Sequence, residues 1–413
     1  MGRFRDALAA PGLAAIAEFK RRSPSAGDLR PDADPAALVA AFEGAGAAAV
    51  SVLVDERFAG TIDDLRAARA AASLPLLAKG FFCEEAQLDE LKAAGADAAL
   101  LILRDLDDRA ATRLLEHASQ IGLDALVEAH DAAELQRAVV LGADPIGVNA
   151  RDLGTFAIDR DAQLKLVANA PRDRVVIAES AIHSRAQGAA AELAGADAVL
   201  IGTALMRAAD PAARLRELAS RPLVKVCGLT REEDVAVAVE AGADLCGFIL
   251  EPASPRAADR VLPVPDTTLS VAVFVGRPEQ TAADLVQLYD REEDKVRGRD
   301  ALLLRGGEQV ATVIDLPWEE DDPSHLERAR TTAGRLVLAG GLGPENVRAA
   351  IDAVSPWAVD ASSSLESEPG VKDHARVRAF VAAARHSRPW AGMARKTASG
   401  FASDFPTGRE GNG

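Results

Sequence analysis

The chain has 413 residues, more than one ordinary domain holds and enough for two or three. Its 47 Lys and Arg against 63 Asp and Glu give a formal net charge of −16, which argues against a nucleic-acid-binding surface and leaves small anionic ligands open, since a local site can be basic on an acidic protein. Hydrophobic residues make up 48% and aromatics only 4%, which suits helices packed on buried parallel strands better than a β-sandwich.

Cys83, Cys227 and Cys246 show no CxxC spacing, and the six histidines no paired spacing, so neither disulfide framework, metal site nor cofactor is expected. No apolar run approaches the ~18 residues of a membrane span. Asp6 and the Pro11-Gly12 break count against a signal peptide in the Ala-rich start, so the expected compartment is the cytoplasm. Oligomeric state is not legible.

The first predicted strand lies in Ile16-Ala-Glu-Phe-Lys-Arg-Arg-Ser-Pro-Ser-Ala-Gly27. Residues two apart in a strand point the same way, so Glu18 and Lys20 project together. Taken alone, the pair fits a rim salt bridge as well as a site. A phrase then recurs in which an Ala-rich helix ends in glycine and an apolar strand follows: Ala45-Gly46, Ala94-Gly95, Leu141-Gly142, Ala194-Gly195 and Ala241-Gly242 each open one. Glycine suits the end of a helix because it takes positive φ without penalty. Further short strands are predicted at Leu74 to Lys79, Asp124 to Glu128 and Arg174 to Glu179. From Ile16 to Leu205 this gives eight strands alternating with helices, the pattern of a closed (β/α)8 TIM barrel.

Arg221-Pro222 separates a second half, with a strand predicted to begin in Leu223-Val-Lys-Val-Cys-Gly-Leu-Thr230 and others at Asp244 to Leu250, Leu269 to Val275, Leu302 to Leu304, Val310 to Leu316, Arg335 to Ala339 and Ala358 to Ala361. Between Leu285 and Leu316 there is no room for two helices, and Arg305-Gly-Gly-Glu308 reads as a hairpin turn. The expected fold class is therefore α/β: a (β/α)8 barrel over 1–220, a second, shortened or incomplete (β/α) barrel over 221–385, and a disordered tail over 386–413.

In a (β/α)8 barrel the C-terminal strand ends share one mouth, where such enzymes keep their sites. Here those ends supply Glu18, Lys20, Lys79, Glu128, Asn149, Arg151, Glu179, Ser180, Gly202 and Thr203. Lysine beside other cations in a partly dry mouth is expected to have a lowered pKa, and glutamate beside carboxylates a raised one. Arg151 suits a substrate carboxylate. Ser180-Ala181 and Gly202-Thr203 follow the last two strands, where backbone amides commonly hold phosphate.

Ile-Ala-Glu-Phe-Lys-Arg-Arg-Ser-Pro-Ser, Leu-Leu-Ala-Lys-Gly-Phe, Leu-Val-Glu-Ala-His, Ile-Gly-Val-Asn-Ala-Arg-Asp-Leu and Ile-Ala-Glu-Ser together resemble the signature segments of indole-3-glycerol-phosphate synthase, over about residues 4 to 210. The resemblance implies a sugar-phosphate substrate, 1-(2-carboxyphenylamino)-1-deoxyribulose 5-phosphate, closed to an indole with loss of carbon dioxide and water. It implies Lys79 as general acid at the ketone, Glu128 in the later proton transfer, and Lys20, Glu18 and Glu179 as the charged network. Asn149 and Arg151 would hold the anthranilate end; Ser180, Gly202 and Thr203 the phosphate; Ser23 and Phe81 lie in the same segments as further substrate contacts. Gly80 stands where the family usually has Asp, and Ala181 where Gly is common, which restricts amide access to phosphate. The family's usual N-terminal helical segment has no counterpart here, so either the start lies further upstream or the lid is reduced.

Leu223-Val-Lys-Val-Cys-Gly-Leu-Thr230 puts a thiol at a strand end, although a lone cysteine is more often a small core residue. With Ser254-Pro-Arg256, the glycine loop Ala339-Gly-Gly-Leu-Gly343 and Val359-Asp-Ala-Ser-Ser-Ser364, this half resembles phosphoribosylanthranilate isomerase, commonly fused to the synthase. The resemblance implies Cys227 as general base, Asp315 as general acid, Arg256 on the anthranilate carboxylate, and Gly340, Gly341, Ser362 and Ser363 on phosphate. Ser364 replaces a usual glycine, and Asp-Leu-Pro-Trp-Glu-Glu over 315–320 a glycine-rich segment. Two alternatives stay open: a synthase whose second half is a non-catalytic structural or interaction module, and a generic sugar-phosphate barrel.

Overall fold

A computed structural model describes residues 2–151, 157–292, 298–316 and 322–385; the tail expected over 386–413 and the segment after Leu316 lie outside the described residues. The first half closes into a barrel of eight parallel strands: β1 (Ala14–Phe19), β2 (Ala49–Leu53), β3 (Leu76–Lys79), β4 (Ala98–Ile102), β5 (Asp124–Ala129), β6 (Ile146–Asn149), β7 (Val176–Glu179) and β8 (Ala198–Ile201). Nearly every strand residue is buried, because helices cover the outside and side chains fill the inside. A short helix, Arg3–Leu8, closes the N-terminal end. Its Phe4 and Leu8 pack on Ile16, Leu77 and Leu126 inside the barrel. Asp124 accepts from the exposed amides of Phe4 (3.0 Å) and Arg5 (3.1 Å) at that helix's start.

The second half also closes with eight strands: β9 (Leu223–Val226), β10 (Leu245–Ile249), β11 (Leu269–Val275), β12 (Leu285–Tyr289), β13 (Ala301–Arg305), β14 (Glu308–Ile314), β15 (Leu336–Leu338) and β16 (Ala358–Ala361). The expectation of an incomplete barrel is corrected in one respect. The strand circle is whole, and among the described residues no helix lies between β10 and β14. β12, absent from the sequence reading, pairs parallel with β11, and β13 runs antiparallel to both β12 and β14. An antiparallel neighbour needs only a tight turn, so the shortened segment still supplies its strands. That turn is Gly306-Gly307, with φ of 57° and 87°, as the Arg-Gly-Gly-Glu spacing predicted.

One helix of the first barrel, Arg185–Ala194, has all ten residues buried and packs against the second barrel. Ala186, Ala189, Ala190 and Leu193 pack on Leu223, Leu245, Leu269 and Leu285, the first residues of β9 to β12. The helix thus closes the N-terminal end of the second barrel, whose mouth lies at the far end. Polar anchors fix the register. Arg185 pairs with Asp244 (3.0 Å) and donates to the Pro222 carbonyl. Glu192 accepts from Arg221 (2.9 Å), Arg335 (2.9 Å) and the Trp357 indole (3.1 Å). Among the described residues, no helix is long and apolar enough to cross a membrane.

Candidate active sites

The mouth of the first barrel holds a pocket of about 290 Å³. It is lined by Glu18, Lys20, Ser23, Lys79, Phe81, Glu128, Asn149, Arg151, Ser180, Gly202 and Thr203, each named from the sequence, with Glu179 buried directly behind Lys79. The strands explain the convergence, since each places its last inward residue on the same ring. Lys79 Nζ lies 2.5 Å from Glu179, 3.7 Å from Glu128 and 3.8 Å from Glu18. Lys20 Nζ donates to the other oxygen of Glu18, as expected for side chains two apart.

This geometry overturns one expectation. Burial pushes Lys79 down, but its neighbours are carboxylates and not cations, and Glu179, Glu128 and Glu18 together hold its pKa well above the usual lysine value. Lys79 therefore rests as an ammonium. The three carboxylates are not equivalent. Burial raises Glu18, but Lys20 and Lys79 bring it below its usual value. Burial raises Glu128, and the hydrogen bond it receives from His130, together with the charge of Lys79, brings it down to about 2. His130 Nε2 lies 3.2 Å from Glu128, and its other nitrogen 2.9 Å from Glu134. Burial raises Glu179 too, Lys79 opposes this, and Glu128 adds to it, leaving Glu179 near 7. Lys20 also serves Glu18 and His130 also serves Glu128, whereas Lys79 is what opposes the rise of Glu179, so Glu179 keeps the highest pKa of the three.

Asn149 Oδ1 accepts from the Arg151 amide (2.9 Å), and the Arg151 guanidinium reaches Ser25 Oγ (3.2 Å). A β-carbon on Gly202 would collide with Glu18 and sit 2.9 Å from Lys20 Nζ, so a larger residue there would displace the ends of these two side chains. Ser180 and Ala181 have φ of 72° and 56°, so the alanine takes the left-handed conformation for which glycine is the easier choice. The sequence reading missed Phe58, His183 and Arg207, which also line the pocket. They lie beyond strand ends, on connections whose path only the fold sets.

In the second barrel, Cys227 is buried at the end of β9. Burial pushes its thiol up, against the neighbouring Lys225. Lys225 Nζ donates to Asp360 and Gln287, both at 2.7 Å. Gln287 donates to Tyr289 OH (2.7 Å), which donates to Asp315 (2.7 Å). A buried polar chain thus crosses the barrel from Asp360 to Asp315. Gly228, with φ 71°, brings Ser362, Arg256 and Lys372 together, each within 3.4 Å of where its β-carbon would be. Arg256 is engaged by Glu366 (2.8 Å), which also takes Lys372 (2.8 Å). Gly340 and Gly341 have φ of 89° and 64°, and Ser364 Oγ bonds the Leu342 carbonyl, joining their loop to the turn holding Ser362 and Ser363. Lys225 was missed although it stands two residues before Cys227, the spacing that singled out Glu18 and Lys20. Gln287 and Tyr289 were missed with their strand.

Comparison with known proteins gives two family matches: "Indole-3-glycerol phosphate synthase" over residues 2–218 and "N-(5'phosphoribosyl)anthranilate (PRA) isomerase" over residues 321–383. Indole-3-glycerol phosphate synthase of Mycobacterium ulcerans is 46% identical over 213 residues, 51% of this chain and 78% of that protein. Indole-3-glycerol phosphate synthase 2 of Streptomyces coelicolor is 47% identical over 216 residues, 52% of this chain and 84% of that protein. The solved phosphoribosyl anthranilate isomerase of Thermotoga maritima is 28% identical, with 40% of this chain and 99% of that chain covered at a TM-score of 0.32. With its first barrel matched from end to end, the chain belongs to the indole-3-glycerol phosphate synthase family, and residues 321–383 of its second barrel match the phosphoribosylanthranilate isomerase family.

Proposed function

We propose that the two halves, 1–220 and 221–385, perform consecutive steps of tryptophan biosynthesis on sugar phosphates. The second isomerises N-(5-phosphoribosyl)anthranilate, and the first closes the resulting aminodeoxyribulose phosphate to indole-3-glycerol phosphate. The observation that carries the reading of the first site is the Lys79 ammonium, within 4 Å of Glu18, Glu128 and Glu179 at a barrel mouth. Ring closure builds negative charge on the substrate ketone oxygen, where a fixed cation in a dry pocket stabilises the transition state. The oxygen takes a proton from Lys79. Carbon dioxide leaves without its bonding pair, which restores the aromatic ring. The new hydroxyl then departs as water with a second proton from Lys79, recharged from solvent, and Glu128, ionised beside His130, takes the proton lost from the adjacent methylene. Arg151 and Asn149 hold the anthranilate end, Ser180, Gly202 and Thr203 the phosphate.

Conversion of the aminodeoxyribulose phosphate by the purified full chain, followed by indole fluorescence, is the direct test, and no turnover removes the reading. Glu179, titrating near 7, gives the rate a pH-dependent limb between about pH 6 and 8. Glu179→Gln is expected to flatten that limb in a kcat-against-pH series; a limb left in place assigns it to another group.

In the second barrel, Cys227 takes the sugar-carbon proton while Asp315, held by Tyr289, protonates the opening ring oxygen. Cys227→Ala is expected to lower isomerase turnover by about 10²- to 10⁴-fold and leave ring closure unchanged. The two rates are separated by supplying each substrate to the same full-length protein. Isomerase turnover absent from the unmutated chain favours a non-catalytic second barrel.

A further inference from the structure

The turn after β7 runs against the preferences of its residues. Ser180 and Ala181 are consecutive, neither is glycine, and both have left-handed φ, where an L side chain crowds its own backbone. Four successive residues of this turn, Ser180 to His183, line the first pocket. Such a conformation persists only where its surroundings hold it.

The support comes from outside the pocket. Arg160 opens the Arg160–Asn169 helix and is half-buried. Its Nη1 donates to the Ala181 carbonyl at 3.0 Å and its Nη2 to the Gln187 carbonyl at 3.1 Å. One planar fork therefore ties the strained turn to the first turn of the helix that joins the barrels. The Gln187 side chain accepts from the His183 amide at 2.7 Å, so the segment from 181 to 187 is pinned at several points. Arg160 also lines a cleft of about 660 Å³ between the barrels, together with Gln187 and with Asp266 of the second half.

We propose that Arg160 is a positioning residue for the first active site: its fork holds Ser180 and Ala181 in the left-handed turn that receives the substrate phosphate. This rests on the reading of the first barrel as a sugar-phosphate enzyme. Arg160 touches no reacting atom, so its loss acts through the turn. Without the fork, Ala181 relaxes toward ordinary φ, and the cost of returning it is charged to phosphate binding.

The test is Arg160→Met in the full chain. It is expected to raise KM for the aminodeoxyribulose phosphate about tenfold, with kcat within about twofold. Adding Ala181→Gly to the same chain is expected to bring KM back to within about threefold of the original, because glycine adopts positive φ without the fork. An unchanged KM, or a raised KM that Ala181→Gly does not rescue, overturns the proposal. If Arg160→Met melts early, Arg160→Lys replaces it. A lysine cannot span both carbonyls, so the same rise and rescue are expected at smaller size, and their absence overturns the proposal equally. Calorimetric titration of inorganic phosphate into the same proteins reads the turn without turnover. Phosphate binding that follows this pattern in a chain without ring-closing activity sinks the functional reading and keeps the role of Arg160. Normal activity with a flat KM sinks only the latter.

Discussion

Lys79→Ala is expected to lower the rate of ring closure by roughly a thousandfold, with the fold retained. The size follows from what is removed. Lys79 is the cation at the centre of the pocket, held charged by three carboxylates at 2.5, 3.7 and 3.8 Å. The reaction places new negative charge where that ammonium points, and removing one preorganised donor of this kind typically costs about 10²- to 10³-fold in turnover. Loss of the partner charge leaves Glu18, Glu128 and Glu179 facing one another in a buried space. Desolvated like charges respond by taking up protons, which moderates the cost to the fold. Indole fluorescence under saturating substrate gives the rate, and thermal melting gives the stability. Turnover within tenfold of the original would falsify the assignment of Lys79 to the ketone.

The second large effect is on stability and lies at the junction. Glu192→Ala is expected to destabilise the chain by about 3–5 kcal/mol, the usual cost of leaving a buried charge without its partner. For domains of this size that corresponds to a fall in melting temperature of very roughly 10 °C. Glu192 is buried and accepts from Arg221, Arg335 and Trp357, all three in the second half of the chain. Burial raises its pKa, yet Arg221 and Arg335 bring it down to about 2. A carboxylate with a lowered folded pKa adds stability above its unfolded value of 4.5, and that contribution is lost as pH falls from 4.5 toward about 2. The interval corresponds to about 3 kcal/mol. Melting curves from pH 6 down to pH 2.5 check it: the gap between the original chain and Glu192→Ala should close on acidification. A constant gap would mean that packing of the glutamate stem, and not its charge, holds the junction. Because the Arg185–Ala194 helix serves both barrels, these measurements belong on the full chain.

The first barrel and its site were legible because a (β/α)8 sheet imposes a simple rule. Strand ends are marked in sequence by charged residues terminating apolar runs, and closure brings every such end to one mouth. Glu18, Lys20, Lys79, Glu128, Asn149, Arg151 and Glu179 were found this way, and the hairpin at Gly306-Gly307 by the turn its glycines favour. The second barrel resisted because β12, Leu285–Tyr289, stands among loops with no helix before it to set the rhythm. With the strand went Gln287 and Tyr289, the links between Lys225 and Asp315.

The amino-acid order alone determined which residues are chemically able to act and on which strands they ride, since periodicity and punctuation are local properties. Only the tertiary structure decided their electrostatic state and their supports. Lys79 faces carboxylates where cations were expected, because charge state depends on neighbours from other strands at distances no spacing encodes. Likewise, Ala181 keeps a glycine-like turn and Leu223 to Leu285 stay covered only because Arg160 and the Arg185–Ala194 helix reach them across the fold.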